Sequence, residues 1–161
     1  MKYFLLFSIF LSIIFLSLGF AQEKSEKEMI ESVASQFLNS AASGSGISSE
    51  LISPESLDKS KEMSLSMALD YDSTGVSNAM MLLPANSIKS MTSAEVWDHM
   101  FKITKTMKRK NIDMEWRLLN TEIKNDIAFV TYAAKDREPK VMQLKKDNNK
   151  WKVVLSFDSI F

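Results

Sequence analysis

The residues of this chain best suited to proton chemistry are one histidine, four carboxylates and two tyrosines. His99 is the only histidine and follows Asp98 directly. Histidine titrates near neutrality and can serve as acid or base. Neighbouring positions on a helix point about 100° apart, however, so Asp98 and His99 do not converge on one substrate atom. Both are expected at the solvent edge of a helix whose buried stripe is Val96, Trp97 and Met100. Glu115, Glu122 and Asp126 are the acids between Met114 and Phe157 considered for a pocket base, which an apolar cavity would tune by raising the carboxyl pKa. Strand alternation sets Glu115 opposite the face of Met114 and Trp116, and Asp126 falls in a turn. Tyr132 and Tyr71 offer hydroxyls with no acid placed beside them. No catalytic residue is assigned, no cofactor is expected, and a lone histidine without cysteine gives no basis for a metal site.

Binding chemistry has better material. Trp97, Trp116, Phe129, Tyr132, Met142, Trp151 and Phe157 are candidates to line a pocket. Aromatic and methionine walls suit flat apolar ligands, because they offer large area and adapt in shape. The same residues at the same spacing also make an ordinary core. The basic run from Lys102 to Lys110 reads as a solvated face that favours the negative end of a helix dipole.

These residues sit in a chain of 161 with 20 basic and 20 acidic side chains. Such a balance lacks the positive field that drives nucleic-acid binding. Cysteine is absent, which excludes disulfides, thiolate metal sites, a cysteine nucleophile and a lipoprotein anchor. Met1-Lys2 opens an apolar run from Tyr3 to Phe20, and small Gly19 and Ala21 precede the charged segment Gln22 to Lys27. These are the parts of a secretory signal with cleavage after Ala21, so residues 1–21 are expected to be a leader and 22–161 a single exported domain, periplasmic or secreted. Left uncleaved, the same segment would just span a bilayer.

The elements follow from periodicity. Ile30, Val33, Ala34, Phe37, Leu38 and Ala41 form one stripe of a helix from about Lys24 to Ala42, stopped at Gly44. A short helix is expected from Ser48 to Ile52, and Ser53-Pro54-Glu55 can start another turn. Met63, Leu65, Met67, Leu69 and Tyr71 alternate with smaller or polar residues, which predicts a strand. A turn at Asp72 to Gly75 would then lead to a returning strand at Asn78 to Leu83. Thr92 and Glu95 form a capping-box pattern at the start of a helix from Ser93 to Arg109. Four strands close the chain: one carrying Met114, Trp116 and Leu118 on one face, then Ile127 to Ala134, Val141 to Leu144, and a last one lined by Trp151, Val153, Leu155 and Phe157. Short polar turns at Asn125-Asp126, Asp136 to Pro139 and Asp147 to Asn149 imply an antiparallel meander and an α+β fold.

The stretch Ile123-Lys124-Asn125-Asp126-Ile127-Ala128-Phe129-Val130-Thr131-Tyr132 and the close Asp147-Asn148-Asn149-Lys150-Trp151-Lys152-Val153 resemble the NTF2-like superfamily (SnoaL-like, cystatin-like α+β cones). With the Thr92 helix, the resemblance covers Thr92 to Asp158. It implies N-terminal helices and one long central helix packed on a curved antiparallel sheet around a conical pocket. It also implies a choice of function that fold alone does not make. One expectation is a non-catalytic domain that binds a small apolar ligand or a protein partner at the cell envelope. The other is a pocket enzyme of the isomerase or cyclase type, acting on a steroid- or polyketide-like molecule. A homodimer through the sheet is a further expectation.

Overall fold

The computed structural model describes residues 25–74, 83–106 and 115–157. The leader and its cleavage point, most of the expected strand at Asn78 to Leu83, and the last turn of the Thr92 helix lie outside the described residues.

Helix α1 covers residues 25–43. It buries Ile30, Ala34 and Leu38, with Val33 and Phe37 half-covered beside them. Gly44 ends it at φ +62°, the left-handed conformation that glycine adopts without a Cβ clash. A 3₁₀ turn at Ser49–Leu51 follows, capped by the Ser48 hydroxyl, which accepts from the Glu50 N–H. Ile52 then makes a parallel bridge with Val153, and the Ser53 N–H donates to the Val153 carbonyl at 2.8 Å. Ser53 caps the next helix, α2 (Pro54–Thr74), with proline at its first position.

Helix α2 overturns the predicted strand at Met63 to Tyr71, and Asp72 to Thr74 belong to its last turn rather than to a hairpin. The reason is visible in its buried side chains. Ser53, Ser56, Leu57, Ser60, Ser64 and Ala68 recur at helical spacing and are all buried, whereas Met67 and Leu69 are exposed. The helical period is therefore carried by small residues, which let a neighbouring helix approach closely. That neighbour is α4 (Ser93–Thr106). Ser64 Oγ lies 3.1 Å from Met100 Sδ and also bonds back to the Ser60 carbonyl at 2.8 Å. Short α3 (Ala85–Ser90) completes a small second core of Ala68, Ala85, Ile88 and Val96. The capping box at the start of α4 is formed. Glu95 Oε2 accepts from the Thr92 N–H at 2.7 Å, and Thr92 Oγ1 accepts from the Glu95 N–H.

The sheet contains β1 (Trp116–Lys124), β2 (Ile127–Ala134), β3 (Lys140–Asp147) and β4 (Lys150–Val154), antiparallel in sequence order and not closed. Asn125, Asp136, Asn148 and Asn149 all have positive φ, the conformation these polar residues tolerate best after glycine. In the Asn148-Asn149 turn both central residues are left-handed, as a type I′ hairpin requires. Leu119 is an extra residue in β1, where the pairing shifts between Leu118 and Asn120. The bulge turns the buried face of β1 from Trp116 and Leu118 to Thr121 and Ile123.

Helix α1 lies on the face formed by Ala128, Val130, Met142, Leu144, Trp151 and Val153, and this layer is the main core. Glu26 pairs with Lys146 at 2.6 Å, and Thr121 donates to Glu31 at 2.9 Å. The fold is thus α+β, with helices followed by a four-strand meander. None of the described helices is long and apolar enough to cross a membrane.

Candidate functional site

The seven residues expected to line a pocket are distributed over different parts of the fold. Trp97 is locked in the core: its ring lies 4.6 Å from that of Phe101, and its N–H donates to the Ile47 carbonyl at 2.7 Å. Met142 and Trp151 are buried in the same cluster, against α1. Trp116 meets Tyr132 edge-on at 5.5 Å on the core face, at the end of the sheet. Phe129 is on the opposite face, with the Lys124 ammonium 5.8 Å from its ring. Phe157, expected to extend the face of the fourth strand, lies past the end of β4, and Lys59 sits over its ring at 5.3 Å. The indole N–H groups of Trp116 and Trp151 are buried without a hydrogen-bond acceptor among the described residues.

Three of the seven do come together, and the local cause is one hydrogen bond. The last β3–β4 pair is Gln143 with Val154. At the next residue the Leu155 N–H donates to Ser56 Oγ at 2.9 Å, and the chain turns away from β3 towards α2. The first residues of β3 are left without a neighbour on that side among the described residues. The gap is a recess of about 610 Å³ lined by Phe37, Phe129, Tyr132, Val141, Met142 and Leu155, with Lys140, Gln143 and Ser156 among its polar residues. Val141 is 63% exposed, high for a branched apolar side chain. Burial pushes the Tyr132 phenol above its ordinary pKa, so the hydroxyl stays a neutral donor. No carboxylate lines the recess. Phe37, Val141 and Leu155 were not among the residues predicted from sequence. Phe37 was visible only as part of the α1 stripe, and nothing in the sequence marks where β4 leaves the sheet.

A second recess of about 450 Å³ runs between α1 and the β3–β4 turn, lined by Met29, Val33, Glu50, Leu51, Lys150 and Trp151 among others. The remaining candidates for chemistry are engaged elsewhere. Asp98 accepts from the Ser49 N–H at 2.9 Å and from its hydroxyl at 2.8 Å, so it anchors the 3₁₀ turn to α4. His99 beside it is half-buried. Glu122 sits 4.0 Å from Lys124 and accepts from Asn120, while Glu115 and Asp126 are exposed. The Glu95 carboxyl is held below its ordinary pKa by the Thr92 N–H and hydroxyl. Lys145 and Lys146 are raised above theirs, chiefly by hydrogen bonds to Glu55 and Glu26. No group of three or more histidine, aspartate or glutamate side chains among the described residues could hold a metal ion. Tyr71 falls in the last turn of α2, remote in sequence from these residues.

Compared with known proteins, the chain matches no family model, no curated protein and no solved structure.

Proposed function

We propose that this chain is an exported, non-catalytic binding domain of the NTF2-like kind, which holds a small apolar ligand in the recess beside Tyr132. The observation that carries the reading is the company Tyr132 keeps: seven apolar or aromatic residues and no carboxylate. Its volume falls within the range of roughly 300–1,000 Å³ usual for small-molecule sites. Phe37, Phe129 and Met142 offer polarizable area to a flat molecule. The Tyr132 hydroxyl and the Lys140 ammonium offer donors to a carbonyl or acid group at its end. In this reading the sheet curves about the long helices as in NTF2-like domains, and the leader is removed after Ala21 during export. The enzyme alternative calls for a carboxylate base near Tyr132 to take a proton, and the lining of the recess supplies no carboxylate.

Native mass spectrometry of the protein purified from its own host tests the reading. The expected spectrum carries an excess of a few hundred daltons, released on denaturation. Val141→Glu, which places a charge on an exposed wall of the recess, removes that excess without unfolding the domain. A bare polypeptide mass, or an excess that V141E leaves intact, would count against the recess as the site.

A further inference from the structure

The outer edge of β1 has no partner strand among the described residues, whereas the β4 edge is met by Ile52 and Ser53. An open edge nine residues long is a template for another strand. We propose that it pairs antiparallel with the same edge of a second copy of this chain, about a two-fold axis passing between Leu119 and Asn120.

The register follows from the bulge. Residues paired across β1 and β2 share a face, so Trp116, Leu118, Thr121 and Ile123 lie on the core side, with Arg117, Asn120, Glu122 and Lys124 on the other. A two-fold axis between Leu119 and Asn120 sets the two bulges against each other. It then places Trp116 opposite Ile123 and Leu118 opposite Thr121, all core-side, and Arg117 opposite Glu122 on the outer side. Counting one residue further, Glu115 stands opposite Lys124. Both outer pairs are of opposite charge, the arrangement that stabilises cross-strand neighbours. Sliding one copy by two residues in one direction brings Arg117 against Lys124; sliding it in the other brings Glu115 against Glu122. A slip of one residue sets core-side residues against outer-side ones. One register therefore satisfies face and charge together.

Two further observations agree. Arg117 is exposed and makes no ion pair among the described residues. Trp116, Leu118 and Ile123 are only half-buried in the single chain and would be covered by their counterparts. The opposing reading takes the bulge and the charges as devices that keep the edge unpaired, as many edge strands have.

Sedimentation velocity on the purified protein separates the two. The expected result is a monomer–dimer equilibrium that shifts with concentration up to about 1 mM and weakens with added salt. R117E and E122R each turn two symmetry-related attractions into repulsions, so each variant's self-dissociation constant rises by roughly tenfold to a hundredfold. An equimolar mixture of the two variants restores both pairs and dimerises as the unmodified protein does. The mixed pairing cannot arise within one chain, because positions 117 and 122 are roughly 15 Å apart along the strand. A protein that stays monomeric throughout, or a mixture no more associated than its components, overturns the proposal. So does a dimer that neither substitution weakens.

Discussion

Replacing Asp98 separates a structural carboxylate from a catalytic one. Its two oxygens accept from the backbone N–H and the hydroxyl of Ser49, at 2.9 and 2.8 Å, and so tie the 3₁₀ turn to α4. Asp98→Ala removes both acceptors and leaves the Ser49 N–H in part-buried surroundings with only water to replace them. Hydrogen bonds to a charged group contribute about 1.5–3 kcal/mol each when buried, and helix-capping side chains about 0.5–2 kcal/mol in total. Asp98 is itself exposed, so the smaller figure governs, and the expected loss is about 2 kcal/mol. Asp98→Asn keeps one oxygen for the N–H, and the Ser49 hydroxyl can rotate to accept from the new amide, so its loss is about 1 kcal/mol. For a domain of this size those losses lower Tm by about 8 and 4 °C respectively. Urea unfolding followed by circular dichroism gives the free energies directly. A D98A protein within about 0.5 kcal/mol of the original would refute the anchoring role. A D98N protein as damaged as D98A would show that charge, rather than acceptor geometry, holds the turn.

Three other perturbations have defined outcomes. Ser60→Leu forces a large side chain into the close contact between α2 and its neighbours and should cost about 1–3 kcal/mol, while Ser60→Ala should be nearly neutral; urea midpoints with unchanged slopes report both. The Lys146 ammonium is raised above its ordinary pKa by its bond to Glu26, so its contribution is complete below the unfolded value of about 10.4 and is lost as pH rises through the folded one. The stability difference between the original protein and Lys146→Met should therefore be constant from neutral to mildly alkaline pH and shrink above that range; a difference that persists there would count against the pair. Asn149→Gly should leave the final hairpin as stable as before or more so, whereas Asn149→Ala at φ +61° should cost about 1 kcal/mol, read from thermal unfolding.

Much of the fold is legible in the chain, and the reasons differ by element. The three hairpin turns of the sheet could be placed because Asn and Asp occupy the positive-φ positions, and these residues have a physical reason to be there. The Thr92 helix start could be placed because the capping box satisfies backbone N–H groups that no other element can reach. Helix α2 was misread because hydropathy weighs large apolar residues. Its buried stripe is serine and alanine, and the alternating Met67 and Leu69 face solvent. The Leu119 bulge left no sequence signal at all, and it changes which β1 residues share a face. The site is less legible than the fold. Alternation already separates Phe129 from Tyr132, yet both line one recess, which opens where Leu155 bonds to Ser56 and leaves β3. A hydrogen bond across ninety-nine positions of sequence cannot be inferred from local pattern.

The proposed recess is tested most directly by the Met142 methyl resonance in methyl-labelled protein titrated with anilinonaphthalene sulfonate, a flat apolar probe carrying one anionic group. Met142 lines the recess beside Tyr132, and Met29 lines the separate recess against Trp151. The account predicts a saturable shift at Met142 that V141E abolishes, with Met29 unmoved. A shift confined to Met29, or none at Met142 at saturating probe, would contradict it.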